Sequence, residues 1–147
     1  MRKDFLLIAD AVEVANGKLY VLGGGWDIFR APVYPAFTRI GLAVGIIFEK
    51  DEIDRLYRVH ISISEVGRHN LLPPLEVELR PQARVPNTET VRGIIGLNPS
   101  LQIPGIGSYE VKASIGEWQL TQQFRAVPLD QRSREPEITS SETQQKE

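Results

Sequence analysis

The sequence predicts an all-β sandwich. Three observations carry this: apolar and polar residues alternate with a period of two, turn-forming residues break the alternation at short intervals, and no segment sustains helical periodicity. In YRVHISIS, Tyr57, Val59, Ile61 and Ile63 are apolar while Arg58, His60, Ser62 and Ser64 are polar. LEVEL at 75–79 and YEVKASI at 109–115 repeat the pattern. Such strands belong to antiparallel sheets with one face on a core and one in water.

The elements follow from the punctuation. Asn16-Gly17 tolerates the positive φ angles of a type I′ turn, so DFLLIADAVEV and KLYVLGG are expected to form a hairpin. The second strand is expected to run on through the glycines until Pro32 and Pro35 close it. A third strand, FTRIGLAVGIIFE, covers about 37–49, is apolar on both faces and is read as central. Asp51–Leu56 reads as one short helical turn with Asp51 as N-cap. Turn-rich stretches at 68–74, 81–87, 99–107 and Gly116-Glu117 separate four further extended segments, giving about eight strands in all. The last two start from a Pro-Gly corner at Pro104-Gly105, whose strand has Tyr109 as its first inward residue. The return strand carries Trp118, Leu120 and Gln122, then Phe124 and Val127 after an expected change of phase. A tyrosine at such a corner hydrogen-bonds back to the preceding loop in immunoglobulin-like sandwiches, and the fold is read as one of these.

Composition bounds the function. The 147 residues suit one domain with one core, and 41% hydrophobic with 24% charged residues is an ordinary globular balance. There are no cysteines, which removes disulfides, thiolate nucleophiles and Cys-ligated zinc. Residues 1–129 hold 14 basic and 14 acidic side chains, so the net charge of −2 comes from residues 130–147. That balance lacks the basic footprint of nucleic-acid binding. The segment DQRSREPEITSSETQQKE has Ile138 as its single aliphatic residue and is expected to be a disordered tail after a sandwich domain at 1–129. The longest apolar run, GLAVGIIF, falls short of the roughly 20 residues of a membrane helix. MRKDFLLIADAVEV lacks the cleavage site of a signal peptide, so a cytoplasmic location without membrane association is expected.

The motifs with chemical potential mostly reduce to structure. Gly23-Gly24-Gly25 precedes Trp26 without the Lys-Ser/Thr and helix of a phosphate loop, and without GxGxxG spacing. Glycines in a strand then mark a bend or a close approach, here expected to make room for the indole. His60 and His69 are too few to build a zinc site without cysteines. Gly105-Ile106-Gly107-Ser108-Tyr109 lacks the last glycine of a nucleophile elbow. Asp10 interrupts an apolar strand and is expected to serve a structural partner, and Asp51, Glu52 and Asp54 lack the pattern of a calcium loop. No catalytic residue, cofactor or metal ligand is assigned. Trp26, Phe29, Tyr34 and Phe37 cluster around two prolines and form the candidate interaction surface, expected to be partly buried.

The stretch LLIADAVEVANGKLYVLGGGWDIFRAPVYP resembles the opening of a bacterial family of small proteins carrying a domain of unknown function. Its members begin with a pattern like LLAD, then an acidic-valine pair, GKL, LGGGWD and a proline. The match rests on Leu6, Ala9, Asp10, Glu13, Val14, Gly17 to Leu19, Leu22 to Asp27 and Pro32, and extends more loosely over about 4–128. Leu72–Pro74 and the tail depart from it. The resemblance implies a compact β-sandwich from bacteria or their phages and brings no catalytic residue, cofactor or partner with it. The expectation is therefore a non-enzymatic module that binds another protein, with a second copy of itself, met through an exposed edge strand, as one candidate. A small-ligand or carbohydrate-binding module using Trp26 and its neighbours is the alternative.

Overall fold

The computed structural model describes residues 1–129, and the expected disordered tail at 130–147 lies outside them. The described chain is an all-β sandwich of eleven strands rather than about eight. Sheet A has the order β2-β1-β5-β8, from Lys18–Gly24, Arg2–Ala15, Gly41–Glu49 and Thr90–Leu97. Sheet B has the order β3-β11-β10-β6-β7, from Ile28–Ala31, Trp118–Pro128, Gly107–Ile115, Tyr57–Glu65 and Leu75–Leu79. β4 (Ala36–Arg39) and β9 (Ser100–Ile103) form a two-stranded ribbon. Pairing is antiparallel except between β3 and β11, which run parallel, so the fully antiparallel expectation needs that one correction.

The core lies where alternation placed it. Leu6, Ile8, Leu42, Val44, Ile46, Phe48 and Ile95 of sheet A face Val59, Ile61, Ile63, Tyr109, Val111, Ala113, Phe124 and Ala126 of sheet B, all buried. Phe124 and Ala126 of β11 are both buried and Val127 only half-buried, so the expected shift of phase toward Val127 does not occur. The tyrosine corner forms as expected: the Tyr109 hydroxyl donates to the Gly105 carbonyl at 2.6 Å and accepts from the Gly105 amide at 3.3 Å.

The expected strand at 37–49 is one extended run whose pairing is interrupted at Ile40. β5 pairs with β8 from Glu49↔Thr90 to Leu42↔Leu97, and the ribbon resumes in the same register at Arg39↔Ser100. The register is the same on both sides of the gap, so no residue is inserted. The gap coincides with Pro99, which has no amide to give and accepts from the Ile40 amide at 3.1 Å. Leu101 and Ile103 then turn into the core and close one end of the sandwich.

β1 is shared between two neighbours in succession. Arg2–Ala9 pairs with β5, whereas Ala9–Ala15 pairs with β2, and the two ladders overlap only at Ala9. Beyond Ala9 the strand leaves β5, crosses so close over Gly41 that a Cβ there would meet the Ala11 backbone at 2.8 Å, and sets Val12 and Val14 over Gly96 of β8. Asn98, just past β8, replaces the lost strand partner. Its side-chain oxygen accepts from the Val12 amide and its side-chain nitrogen donates to the Val12 carbonyl, both at 2.9 Å. The hairpin tip has the expected turn, with φ of 52° at Asn16 and 70° at Gly17.

The short helical turn is a 3₁₀ turn at Lys50–Glu52 whose N-cap is Glu49, not Asp51. Glu52 holds it against the start of β1. Its carboxylate accepts from the Met1 ammonium at 2.5 and 2.7 Å and from the Glu49 amide at 3.2 Å. Burial alone would raise this carboxyl, but those hydrogen bonds, with the charges of the ammonium and Arg55, hold it below its ordinary value.

Two outcomes follow. Asn98→Ala leaves two backbone groups of Val12 without partners and is expected to cost about 2 kcal/mol in urea unfolding, with the Val12 amide exchanging faster than its neighbours in β1. For Glu52, a lowered folded-state value means its stabilisation is present above the unfolded carboxyl value and is lost as pH falls through the folded one. Glu52→Gln is therefore expected to be less stable than the parent by about 1 kcal/mol at neutral pH. The gap should close below about pH 4 in thermal melts at a series of pH values.

Candidate interaction surface

The glycine triplet is where the chain leaves one sheet for the other. β2 ends at Gly24 on the edge of sheet A, and β3 begins at Ile28 on the edge of sheet B. The expected continuous second strand is thus two strands in different layers. Gly23 and Gly25 have φ of +58° and +82°, values L side chains rarely adopt, and the Gly25 amide donates to the Ile8 carbonyl at 2.8 Å to fix the exit. The bend is as expected, but the occupant of the space is not the indole. The side chain of Asp10 fills the place a Gly23 Cβ would take, so exposed Asp10 is accommodated by a missing side chain.

The triplet delivers Trp26 onto sheet B. Its ring meets Phe124 edge-on at 5.7 Å and Phe29 at 6.5 Å, and Phe29 meets Tyr34 edge-on at 6.5 Å. Phe124 in turn stacks on Tyr109 at 5.3 Å. Tyr34 donates to the Val127 carbonyl at 2.6 Å, and burial raises its hydroxyl above the ordinary value, so it stays a donor. Trp26, Phe29 and Tyr34 are therefore partly buried, packed against the core. Phe37 does not join them: it is 82% exposed on β4, beside Leu71, Leu72 and Leu101 in a shallow apolar groove of about 500 Å³. The four expected surface residues divide into three packed rings and one exposed one.

A different apolar surface is open. β2 is the edge of sheet A, paired only with β1, and its Tyr20, Val21 and Leu22 are 53%, 40% and 71% exposed. The run carries Lys18 at its turn end and no charge from Leu19 to Trp26. The sequence does hold a signal for this. From Leu19 to Leu22 the run is apolar at consecutive positions, so a strand built from it presents apolar groups on both faces, and here Leu19 packs inward while Tyr20, Val21 and Leu22 stay exposed.

Other candidates stay apart. His60 lies on the wet face of β6 with Nδ1 3.7 Å from Glu76, and His69 is exposed in the following loop. Among the described residues no three His, Asp or Glu side chains group as a metal site requires. A larger open hollow of about 580 Å³ lies between the hairpin tip, the segment after β7 and β8, with Arg80, Arg84 and Arg92 on its rim. Arg92 is paired with Asp4 at 2.5 Å and Arg80 stands 4.0 Å from Asp54.

Residues 4–125 match a family of unknown function, DUF6941. The chain belongs to that family. No curated protein and no solved structure matches it. The DUF6941 span takes in both sheets, the triplet, the packed aromatic rings and the β2 edge, and it ends within β11.

One feature of the aromatic group is directly measurable. The Trp26 Nε1–H is buried with no acceptor, a state that costs a polar group about 1–3 kcal/mol. Trp26→Phe, which deletes that donor and keeps a ring against Phe124, is expected to change stability by less than about 1 kcal/mol. Trp26→Ala, which also deletes the packing, is expected to cost about 3 kcal/mol, both read as urea midpoints at constant m.

Proposed function

We propose that this DUF6941 protein is a non-enzymatic binding module that engages another protein chain through the β2 edge of sheet A. The observation that carries the reading is the unpaired edge itself, with Tyr20, Val21 and Leu22 exposed in succession and no charge, bulge or proline among them to blunt it. Edges of that kind accept an added strand, whose main-chain hydrogen bonds supply affinity and whose side chains supply selectivity. Two packed sheets and the Tyr109 corner support an immunoglobulin-like description of the scaffold, a framework that often binds through its periphery. The reading as a ligand or carbohydrate module has less support. The rings of Trp26, Phe29 and Tyr34 engage one another and Phe124, which leaves Phe37 as the aromatic group presented to solvent. No helix of the described residues is long and apolar enough to cross a membrane.

The test places a charge on the edge without touching the core. Leu22→Lys should leave the unfolding midpoint within about 0.5 kcal/mol of the parent, since Leu22 is 71% exposed, and should abolish partner retention in affinity capture and self-association in light scattering. Phe37→Ser should leave both intact. Loss of binding with Phe37→Ser and not with Leu22→Lys would move the site to the β4–β9 groove.

A further inference from the structure

Resting on the edge-strand reading, we infer that the partner strand at β2 is the β2 of a second copy, paired antiparallel about a two-fold axis through Val21. The backbone geometry fixes which groups are on offer. A two-residue turn makes its flanking residues, Ala15 and Lys18, a hydrogen-bonded pair, and such pairs alternate along an antiparallel ladder. Lys18, Tyr20 and Leu22 therefore spend their amides and carbonyls on β1, whereas Leu19 and Val21 point theirs outward; the alternation ends at left-handed Gly23, which has no Asp10 pair in the ladder, and the Gly25 amide turns back to the Ile8 carbonyl. The other strand of the hairpin verifies the phase. Val12 is the partner of Val21, and its amide and carbonyl face away from β2, as their bonds to Asn98 show. No hydrogen bond among the described residues reaches the outward groups of Leu19 or Val21.

These groups are self-complementary. With Val21 opposite Val21 of the second copy, Leu19 falls opposite Gly23, Tyr20 opposite Leu22 and Lys18 opposite Gly24. The outward amide and carbonyl of Val21 then meet the carbonyl and amide of Val21 in the second copy. Charge selects the same arrangement. The turn end of the hairpin carries Lys18, with the Arg84 guanidinium lying over Gly17. The glycine end carries Asp10 over Gly23, and Asp27 follows. An antiparallel two-fold sets each basic end beside the acidic end of the other copy, whereas a parallel pairing would set like ends together. The contact is isologous, so it joins sheet A of two molecules into one eight-stranded sheet and closes there instead of growing into a fibre.

The chain contains no cysteine, so a single introduced thiol reports one position cleanly. Facing Cα atoms of a hydrogen-bonded antiparallel pair lie about 5.5 Å apart, within disulfide range. The full chain is expected to double its 16.5 kDa mass in light scattering as concentration rises. Under mild oxidation Val21→Cys should convert to covalent dimer, and Tyr20→Cys and Leu22→Cys should not, because their own positions are not opposed. Val21→Pro removes an outward amide without breaking the β1 ladder and should return the protein to monomer. A thermal melt confirms that each variant is folded. Dimer trapped by Tyr20→Cys or Leu22→Cys instead would overturn the register. A protein monomeric throughout, whose heterologous partner is still lost with Leu22→Lys, would overturn self-pairing and leave the edge-strand reading standing. Monomer with no binding that depends on β2 would remove both.

Discussion

The architecture of sheet A turns on the pair of hydrogen bonds between the Asn98 side chain and the backbone of Val12. A strand that leaves its neighbour midway must find other partners for its amides and carbonyls, because unpaired backbone groups near the core are costly. β1 leaves β5 at Ala9, and an amide side chain supplies one donor and one acceptor in the geometry of a missing strand residue. The rest of the hairpin's position follows from this anchor. Gly41 allows the crossing, Gly96 receives the two valines, and the turn at Asn16-Gly17 lies against Arg84.

The same hairpin carries the exposed edge, since β2 is the terminal strand of sheet A. β2 has β1 as its one strand neighbour, its Leu19 packs against Ala9, Val12 and Ala43, and the chain then crosses to sheet B from a strand with nothing beyond it. The triplet performs that crossing. Gly23 yields its side-chain space to Asp10, and Gly25 turns the chain so that Trp26 arrives against Phe124. The crossing thus joins the β2 edge of one sheet to the aromatic group on the other.

Much of this was legible in the sequence where the cause is local. Alternation at Tyr57–Ser64 placed Val59, Ile61 and Ile63 in the core, Asn16-Gly17 specified the first turn, and the Pro-Gly corner announced the Tyr109 hydroxyl bond. The errors share a different origin. Whether Leu19–Leu22 is covered depends on which strand lies beyond it, and whether Phe37 joins Trp26 depends on a ribbon that follows β8. The sandwich ends of β4 and β9 are set by Pro99, sixty positions from Arg39, its approximate spatial neighbour across the ribbon. Cross-strand partners distant in sequence leave no period to read. The cap at Glu49 was missed for a similar reason, since the reciprocal group, Glu52, is also claimed by the ammonium of Met1.

An exposed uncharged edge is a hazard that folded proteins ordinarily manage with lysine, proline, a bulge or a covering loop. The contrast within this molecule is informative. At the edge of sheet B, β7 alternates Glu76 and Glu78 with its inward residues, which discourages an incoming strand. The edge strand β3 is four residues long and is followed at once by Pro32. β8, the other edge of sheet A, carries Arg92 and is flanked by the segment that lines the hollow beside it. Of these four edges β2 alone combines length, exposed apolar side chains and the absence of a central charge. The same chain applies the usual protections at three edges and omits them at one, which is the pattern expected where pairing at that edge is a use of the fold and not an accident of it.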